Sequence, residues 1–190
     1  IAGKIHTGKS RNDQVSTTTR LFLKNTIQEF KLILRGLQIE IVKKSEVNLD
    51  IIMPSYTHMQ RAQPVLLSHH LMAYFEMLER DISRLQDCME RMDELVLGSG
   101  AVAGTFFDID RNFLAKELGF SRINRNSMDG VSDRDFCVYF LQSLSVISLH
   151  LGKLASELIL WSSSQFNLFR LSDDYSTGSS IMPQKRNPDS

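Results

Sequence analysis

Three long runs of apolar residues, stepping alternately by four and three, constrain this sequence more than anything else in it. That step belongs to α-helices packed in a bundle. Between Val15 and Val47 the seam is Leu23, Ile27, Phe30, Leu34, Leu37 and Ile41, with Lys24, Gln28, Lys31, Arg35 and Gln38 on other faces. A second run goes from Pro64 to Gly98 through Leu67, Leu71, Tyr74, Leu78, Ile82, Leu85, Met89, Met92 and Val96. Glu76, Glu79, Arg80, Asp81 and Arg84 are expected on its outer side. Proline in the first turn and glycine past the last are helix boundary signals. The third run, 131–162, is apolar almost all round, with Phe140, Leu144, Ile147, Leu151, Leu154, Leu158 and Trp161 as its seam. Ser132 offers it a cap, followed by Asp133 and Asp135 in the first turn, where negative charge suits the helix dipole.

Helices of this length measure about 45 to 50 Å at 1.5 Å per residue. A chain of 190 residues cannot cover such stripes alone, so the third helix is expected to meet neighbouring subunits. A membrane span is the competing reading of that helix, but Gln142, His150, Lys153 and Glu157 interrupt it too often. The expected fold class is all-α, with a short helix near 112–118 and no strand pair carrying a hairpin signal. Formal net charge is zero, which favours neither nucleic acid nor an anionic membrane as partner. Cys88 and Cys137 lie inside helical patterns without metal-ligand spacing and read as reduced residues of a cytoplasmic protein. Starting at Ile1 and stopping just after a motif, the chain is expected to be part of something longer.

Polar loops flank the helices. His6-Thr7-Gly8-Lys9-Ser10-Arg11-Asn12-Asp13-Gln14 stands just before the first run. Helix-start N–H groups attract anions, Arg11 adds a planar cationic fork, and Asn12 both donates and accepts. Read alone, the segment is equally an ordinary cap with Asn12 or Asp13 at the N-cap. Tyr56-Thr57-His58-Met59-Gln60-Arg61-Ala62-Gln63-Pro64 places a histidine among hydroxyl, amide and guanidinium groups. Histidine as a residue type suits proton transfer, which makes His58 the candidate, although a loop histidine also serves as a bystander. His69, His70 and His150 read as bystanders. No histidine pair and no carboxylate cluster has metal-ligand spacing, so no catalytic metal is expected.

The last loop, Gly178-Ser179-Ser180-Ile181-Met182-Pro183-Gln184-Lys185-Arg186-Asn187-Pro188, resembles the signature of the fumarase/aspartase superfamily. The Ser10-Arg11-Asn12-Asp13-Gln14 and Ser132-Asp133-Arg134-Asp135-Phe136 segments are similar to those of the argininosuccinate lyase family. The similarity covers essentially the whole chain. It implies an all-α, long-helix bundle whose central helices form the core of a homotetramer, each site shared among three chains. Residues 1–190 would be the central part of a lyase, with active-site loops 3–14, 54–64 and 172–190 and with flanking segments missing; this piece alone is expected to be inactive.

The activity implied is reversible anti elimination, splitting argininosuccinate into arginine and fumarate through an aci-carboxylate carbanion without a cofactor. Ser179 and His58 match the family's catalytic serine and histidine, with proton abstraction assigned to Ser179 and the opposite proton transfer to His58, the order of donor and acceptor staying open at the level of sequence. Lys185 and Asn187 would hold the carboxylate where charge accumulates, and Ser10, Arg11, Asn12, Thr57 and Arg134 match substrate-contacting or site-supporting positions. Two departures are Lys9, where many relatives carry arginine, and Gly130, where alanine is usual and glycine is expected to loosen the third helix's start. Another fumarate-releasing lyase and a crystallin-type structural protein are the alternatives.

Overall fold

The structure, a computed structural model, describes residues 2–189; Ile1 and Ser190, the ends of the expected 1–190 domain and of the 172–190 loop, lie outside the described residues. Helices α1 (Arg11–Glu46), α2 (Leu67–Met92) and α5 (Asp135–Ser162) carry the fold. With 36, 26 and 28 residues they extend roughly 54, 39 and 42 Å. The fold class is all-α, as the periodicity implies. Between the long helices lie a hairpin of β1 (Ile52–Thr57) and β2 (Gln60–Leu66), the short β3 (Glu94–Leu95), α3 (Arg111–Leu118), β4 (Arg122–Ile123) and α4 (Ser127–Ser132). A last two-stranded ladder pairs β5 (Thr177–Gly178) with β6 (Arg186–Asn187). The chain divides into two compact units, one built from residues up to Ile39 and Leu78–Ser145, the other from Glu40–Met77 and residues from Val146 onward.

In the first unit much of the predicted seams is buried, namely Leu23, Ile27 and Leu34 of α1, Leu78, Ile82, Leu85 and Met92 of α2, and Phe140 of α5, while Phe30, Leu37, Met89 and Leu144 are half-buried; Cys88 and Phe136, outside those seams, are buried with them. Each such side chain contributes about 1.5–3 kcal/mol by leaving water. Phe30 meets Phe140 edge-on, ring centres 6.3 Å apart. A charged residue also lies in this interior. Arg20, 2 % exposed, donates to the Met92 carbonyl at 3.2 Å and to Asp133 at 2.5 Å, and its guanidinium lies 4.3 Å over the Phe136 ring. A smaller apolar cluster gathers Leu95, Ala115 and Phe120 around the parallel pair β3–β4 and helix α3. Asp110 caps α3 by accepting from Phe113 N–H, and Gly119 ends it in the left-handed conformation at φ 72°, which glycine adopts without a Cβ clash.

In the second unit, Ile41, Met53, Tyr74 and Trp161 are buried. Glu157 of α5 receives the Tyr74 hydroxyl and sits 2.7 Å from His70 Nε2. Burial, and then the hydrogen bond and charge of Glu157, push the Tyr74 pKa up, so the phenol stays protonated. Trp161 packs edge-on against His70 at 4.6 Å. His70 is therefore half-buried and hydrogen-bonded within the packing of this unit. Helix α5 is long and apolar enough to cross a membrane by length and composition, with mean hydropathy 1.3 and 11 % of that window buried. Val138, Leu141, Leu149, Leu151 and Ile159 stand exposed along it.

The structure differs from the sequence expectations in several places, Leu151 of the third seam, which is exposed, among them. The second helix runs from Leu67 to Met92, not from Pro64 to Gly98, because Pro64 is in β2, paired in register with Pro54, and Glu94–Leu95 leave the helix to pair with Arg122–Ile123. Proline cannot donate to a ladder and is confined to edge strands, and both strands of this two-stranded sheet are edges. The third helix breaks between Ser132 and Asp135: α4 ends there and α5 starts afresh, with Asp133 rather than Ser132 accepting from the Asp135 N–H at 2.8 Å. Gln38 and Asp81, placed outside by periodicity, are buried, Gln38 between Arg35 and Glu79 and Asp81 bonded to Arg84. The strand hairpin at 52–66 was not expected at all.

Candidate active site

The segment before α1 folds as a short 3-10 turn (Ala2–His6) followed by Gly8 at φ 73°. Ser10 is the cap: its hydroxyl accepts from Asn12 N–H at 3.2 Å, while Asp13 Oδ1 accepts from Ser10 N–H at 2.9 Å. This reciprocal capping box settles the cap at Ser10, not at Asn12 or Asp13. The side chains of Arg11 and Asn12 are exposed, and among the described residues neither makes a side-chain hydrogen bond. They stand at the positive end of a 36-residue helix, where a carboxylate is favoured. Beside them opens a cavity of about 400 Å³ between residues 6–10 and the turn containing Gly100, Gly104 and Phe107.

Arg134 lies at the joint between α4 and α5. Its guanidinium donates to the Val131 carbonyl at 3.0 Å and to that of Asp133 at 2.5 Å, bridging the break between the two helices. Within this first unit no hydrogen bond links Arg134 to residues 10–12 among the described residues. Nor does Gly130 loosen the helix start. It is buried in α4, its carbonyl accepts from Ser16, and the Asn124 amide covers it so closely that a Cβ there would lie 2.6 Å from Asn124 Nδ2.

In the second unit, His58 and Met59 form the two-residue turn of the β1–β2 hairpin, with φ 51° and 61°. Two consecutive left-handed residues are the mark of a type I′ turn, matched to strand twist. Thr57 and Gln60 are the last pair below it, so the imidazole is held at an exposed tip. Residues 179–185 form the second tip, closed at its base by Thr177↔Asn187 and Gly178↔Arg186 and by the Thr177 hydroxyl on the Asp189 carboxylate. Ser179 Oγ accepts from Met182 N–H at 3.2 Å, and Lys185 N–H donates to the Met182 carbonyl at 2.9 Å. The ladder thus carries Ser179, Lys185 and Asn187 on one loop. Lys185 is exposed and Asn187 half-buried. Among the described residues of this unit, no hydrogen bond joins Ser179 to His58, and no group of three or more metal-ligating side chains is found.

Sequence reading missed the hub beneath the first segment. Asp13, fully buried, also accepts from Gly98 and Gly100 N–H groups at 3.1 and 2.8 Å. The signal was the Ser10-x-x-Asp13 capping box, with the glycines at 98, 100 and 104 marking the turn it holds.

A family model described as a lyase matches residues 1–190. The chain belongs to that lyase family. Curated relatives named argininosuccinate lyase include that of Ruminiclostridium cellulolyticum, 56 % identical over 98 % of this chain and 40 % of the relative. That of Bacillus subtilis is 51 % identical over 100 % of this chain and 41 % of the relative. The chain thus spans about two fifths of their length. Among solved structures, EDDS lyase in complex with formate superposes with a TM-score of 0.95 at 36 % identity, covering 99 % of this chain and 38 % of that one. A fumarate lyase:delta crystallin from Brucella melitensis superposes at 0.82 with 28 % identity, over 95 % and 41 % of the two chains.

Proposed function

We propose that the full-length protein cleaves argininosuccinate reversibly to arginine and fumarate, without a cofactor, as a cytoplasmic homotetramer whose sites draw on several chains. The observation that carries this reading is 51–56 % identity to argininosuccinate lyases across nearly the whole chain, against 36 % to EDDS lyase.

The elimination needs a proton taken from the carbon beside a carboxylate and another given to the departing guanidinium nitrogen. Ser179 is the base. A serine hydroxyl is a poor base in water, and groups that stabilise its oxyanion correct that. The Met182 N–H already points at Ser179 Oγ, and Lys185 shares the loop. As the proton leaves, charge builds on the substrate carboxylate, where the Lys185 ammonium and the Asn187 amide hold it. Donors aimed at that charge stabilise the carbanion more than the substrate, which lowers the barrier. His58, on its hairpin tip, transfers the opposite proton. Arg11, Asn12, Ser10, Thr57 and Arg134 bind or support the rest of the substrate.

The test is fumarate release by the full-length protein from argininosuccinate, malate, aspartate and adenylosuccinate in parallel. Turnover of argininosuccinate alone is expected. Ser179→Ala should lower kcat by about a hundred- to ten-thousandfold, and Lys185→Ala by about a hundred- to a thousandfold. Turnover of one of the other substrates instead, or full activity in Ser179→Ala, refutes the assignment.

A further inference from the structure

Asp13 contributes nothing to the elimination outlined above, yet it is a fully buried carboxylate, a costly thing to keep in a protein interior without strong partners. Its partners are three backbone N–H groups from two segments far apart in sequence. Oδ1 takes Ser10; Oδ2 takes Gly98 and Gly100. Arg111 lies within electrostatic reach of this carboxylate. Burial lowers its pKa, and Asp13 is the foremost of the nearby charges that raise it again. The guanidinium is held by the Leu97 and Leu95 carbonyls at 3.1 and 3.2 Å.

The backbone around this carboxylate has no slack. Gly100, at φ 64°, approaches Gly104 so closely that a Cβ would lie 2.3 Å from the Gly104 carbonyl oxygen. Gly98, at φ 93°, lies against Arg111, whose side-chain atoms would stand 3.1 Å from a Cβ. On the opposite wall Gly8 packs on Ile109 and Phe107, with a Cβ position 2.7 Å from Ile109 Cδ1. The cavity of about 400 Å³ lies between these two walls, and Asp13 is the group bonded to both.

We propose that Asp13 is a positioning residue of the substrate site: its buried carboxylate clamps the segment carrying Ser10, Arg11 and Asn12 to the glycine turn at 98–104 and so sets the shape of the cavity between them. The proposal rests on the lyase reading for its kinetic consequence and on geometry alone for its structural one. An amide at position 13 keeps the size but has one acceptor oxygen in place of two, so it cannot hold Ser10 and the Gly98–Gly100 pair at once, and the link between the walls is broken where its NH2 group meets N–H donors.

The experiment uses full-length Asp13→Asn beside Leu85→Ala, a core cavity variant that lowers stability by another route. Asp13→Asn is expected to raise KM for argininosuccinate on the order of ten- to a hundredfold with a smaller fall in kcat, and to accelerate amide exchange of residues 10, 98 and 100 together. Leu85→Ala is expected to lower Tm without moving KM. An unchanged KM in Asp13→Asn, or an equal KM rise in Leu85→Ala at matched loss of Tm, overturns the proposal. If the wild type turns over no argininosuccinate, the lyase reading falls and amide exchange decides the clamp: acceleration confined to one wall refutes it. If Asp13→Asn does not fold, exchange in the wild type decides, since the clamp requires segments 6–14 and 96–104 to slow together when arginine and fumarate are added; slowing of only one overturns it.

Discussion

Gly130 shows how little a single residue's propensity says about its place. Alanine is the better helix former by about 1 kcal/mol, which suggests that Gly130→Ala would firm up α4. The packing argues the reverse. Asn124 covers the Cα with its Cγ at 2.8 Å from any added Cβ, and it cannot swing aside freely, because its amide donates to Asn126 O and accepts from Ser99 and Arg111. We expect Gly130→Ala to destabilise the full-length protein by about 1–3 kcal/mol, read as a lower midpoint in denaturant. An unchanged or raised midpoint would show that the Asn124 network yields easily. Cys88 is a second residue defined by its surroundings. Burial first, and then the neighbouring Cys137, push its thiol up to about 11, which leaves it unreactive at neutral pH.

Among the elements, the β1–β2 hairpin carries backbone strain. Left-handed φ values at two non-glycine residues are unfavourable for ordinary side chains, and His58 and Met59 both adopt them. Asparagine tolerates that region, so Met59→Asn should stabilise the hairpin by about 0.5–1 kcal/mol, measured as slower amide exchange in residues 52–66. No change in exchange would mean that strand pairing, not the turn, limits opening. The junction of α1 with the end of α2 makes a pH prediction. Burial alone would raise the Asp93 pKa, but hydrogen bonds from Lys24 and Ser121 and the Lys24 charge outweigh it, and the net shift is downward. The unfolded chain therefore takes up this proton first as pH falls. The stabilisation is complete above the ordinary carboxylate value of 3.8 and disappears as pH drops through the folded one. Wild type should exceed Asp93→Asn in Tm at pH 7, with the gap closing toward pH 3; a gap independent of pH would assign the effect to packing.

At the scale of the whole molecule, exposed apolar surface is the dominant fact. Leu141 is 61 % and Leu149 71 % exposed on α5, and Phe22, Leu32 and Ile33 are 66, 73 and 68 % exposed on α1. Side chains of this size in regular helices call for a partner surface. With the proposed homotetramer, Leu141→Asp combined with Leu149→Asp should shift sedimentation of the full-length protein toward smaller species and abolish turnover. A tetramer of unchanged mass would place these leucines outside any subunit contact.

Much of this was legible in the sequence, and the reason is local. A 3.6-residue period over about 30 residues marks a helix and its apolar face without reference to any distant residue, so Ile27, Leu34, Leu78 and Leu85 could be assigned to the interior from spacing alone. The polar motifs could be recognised because loops that carry chemistry keep their residues in order along the chain. What spacing could not give was anything decided by groups distant in sequence. The hairpin needed Pro54 set against Pro64. Burial of Arg20 and Gln38 needed partners beyond their own helix, Met92 and Asp133 for the one and Glu79 for the other, without which each would belong on the surface. The Asp13 clamp joins residue 10 to residues 98 and 100. A buried polar group is tolerated only where its hydrogen bonds are met, and only the tertiary structure decides where that is.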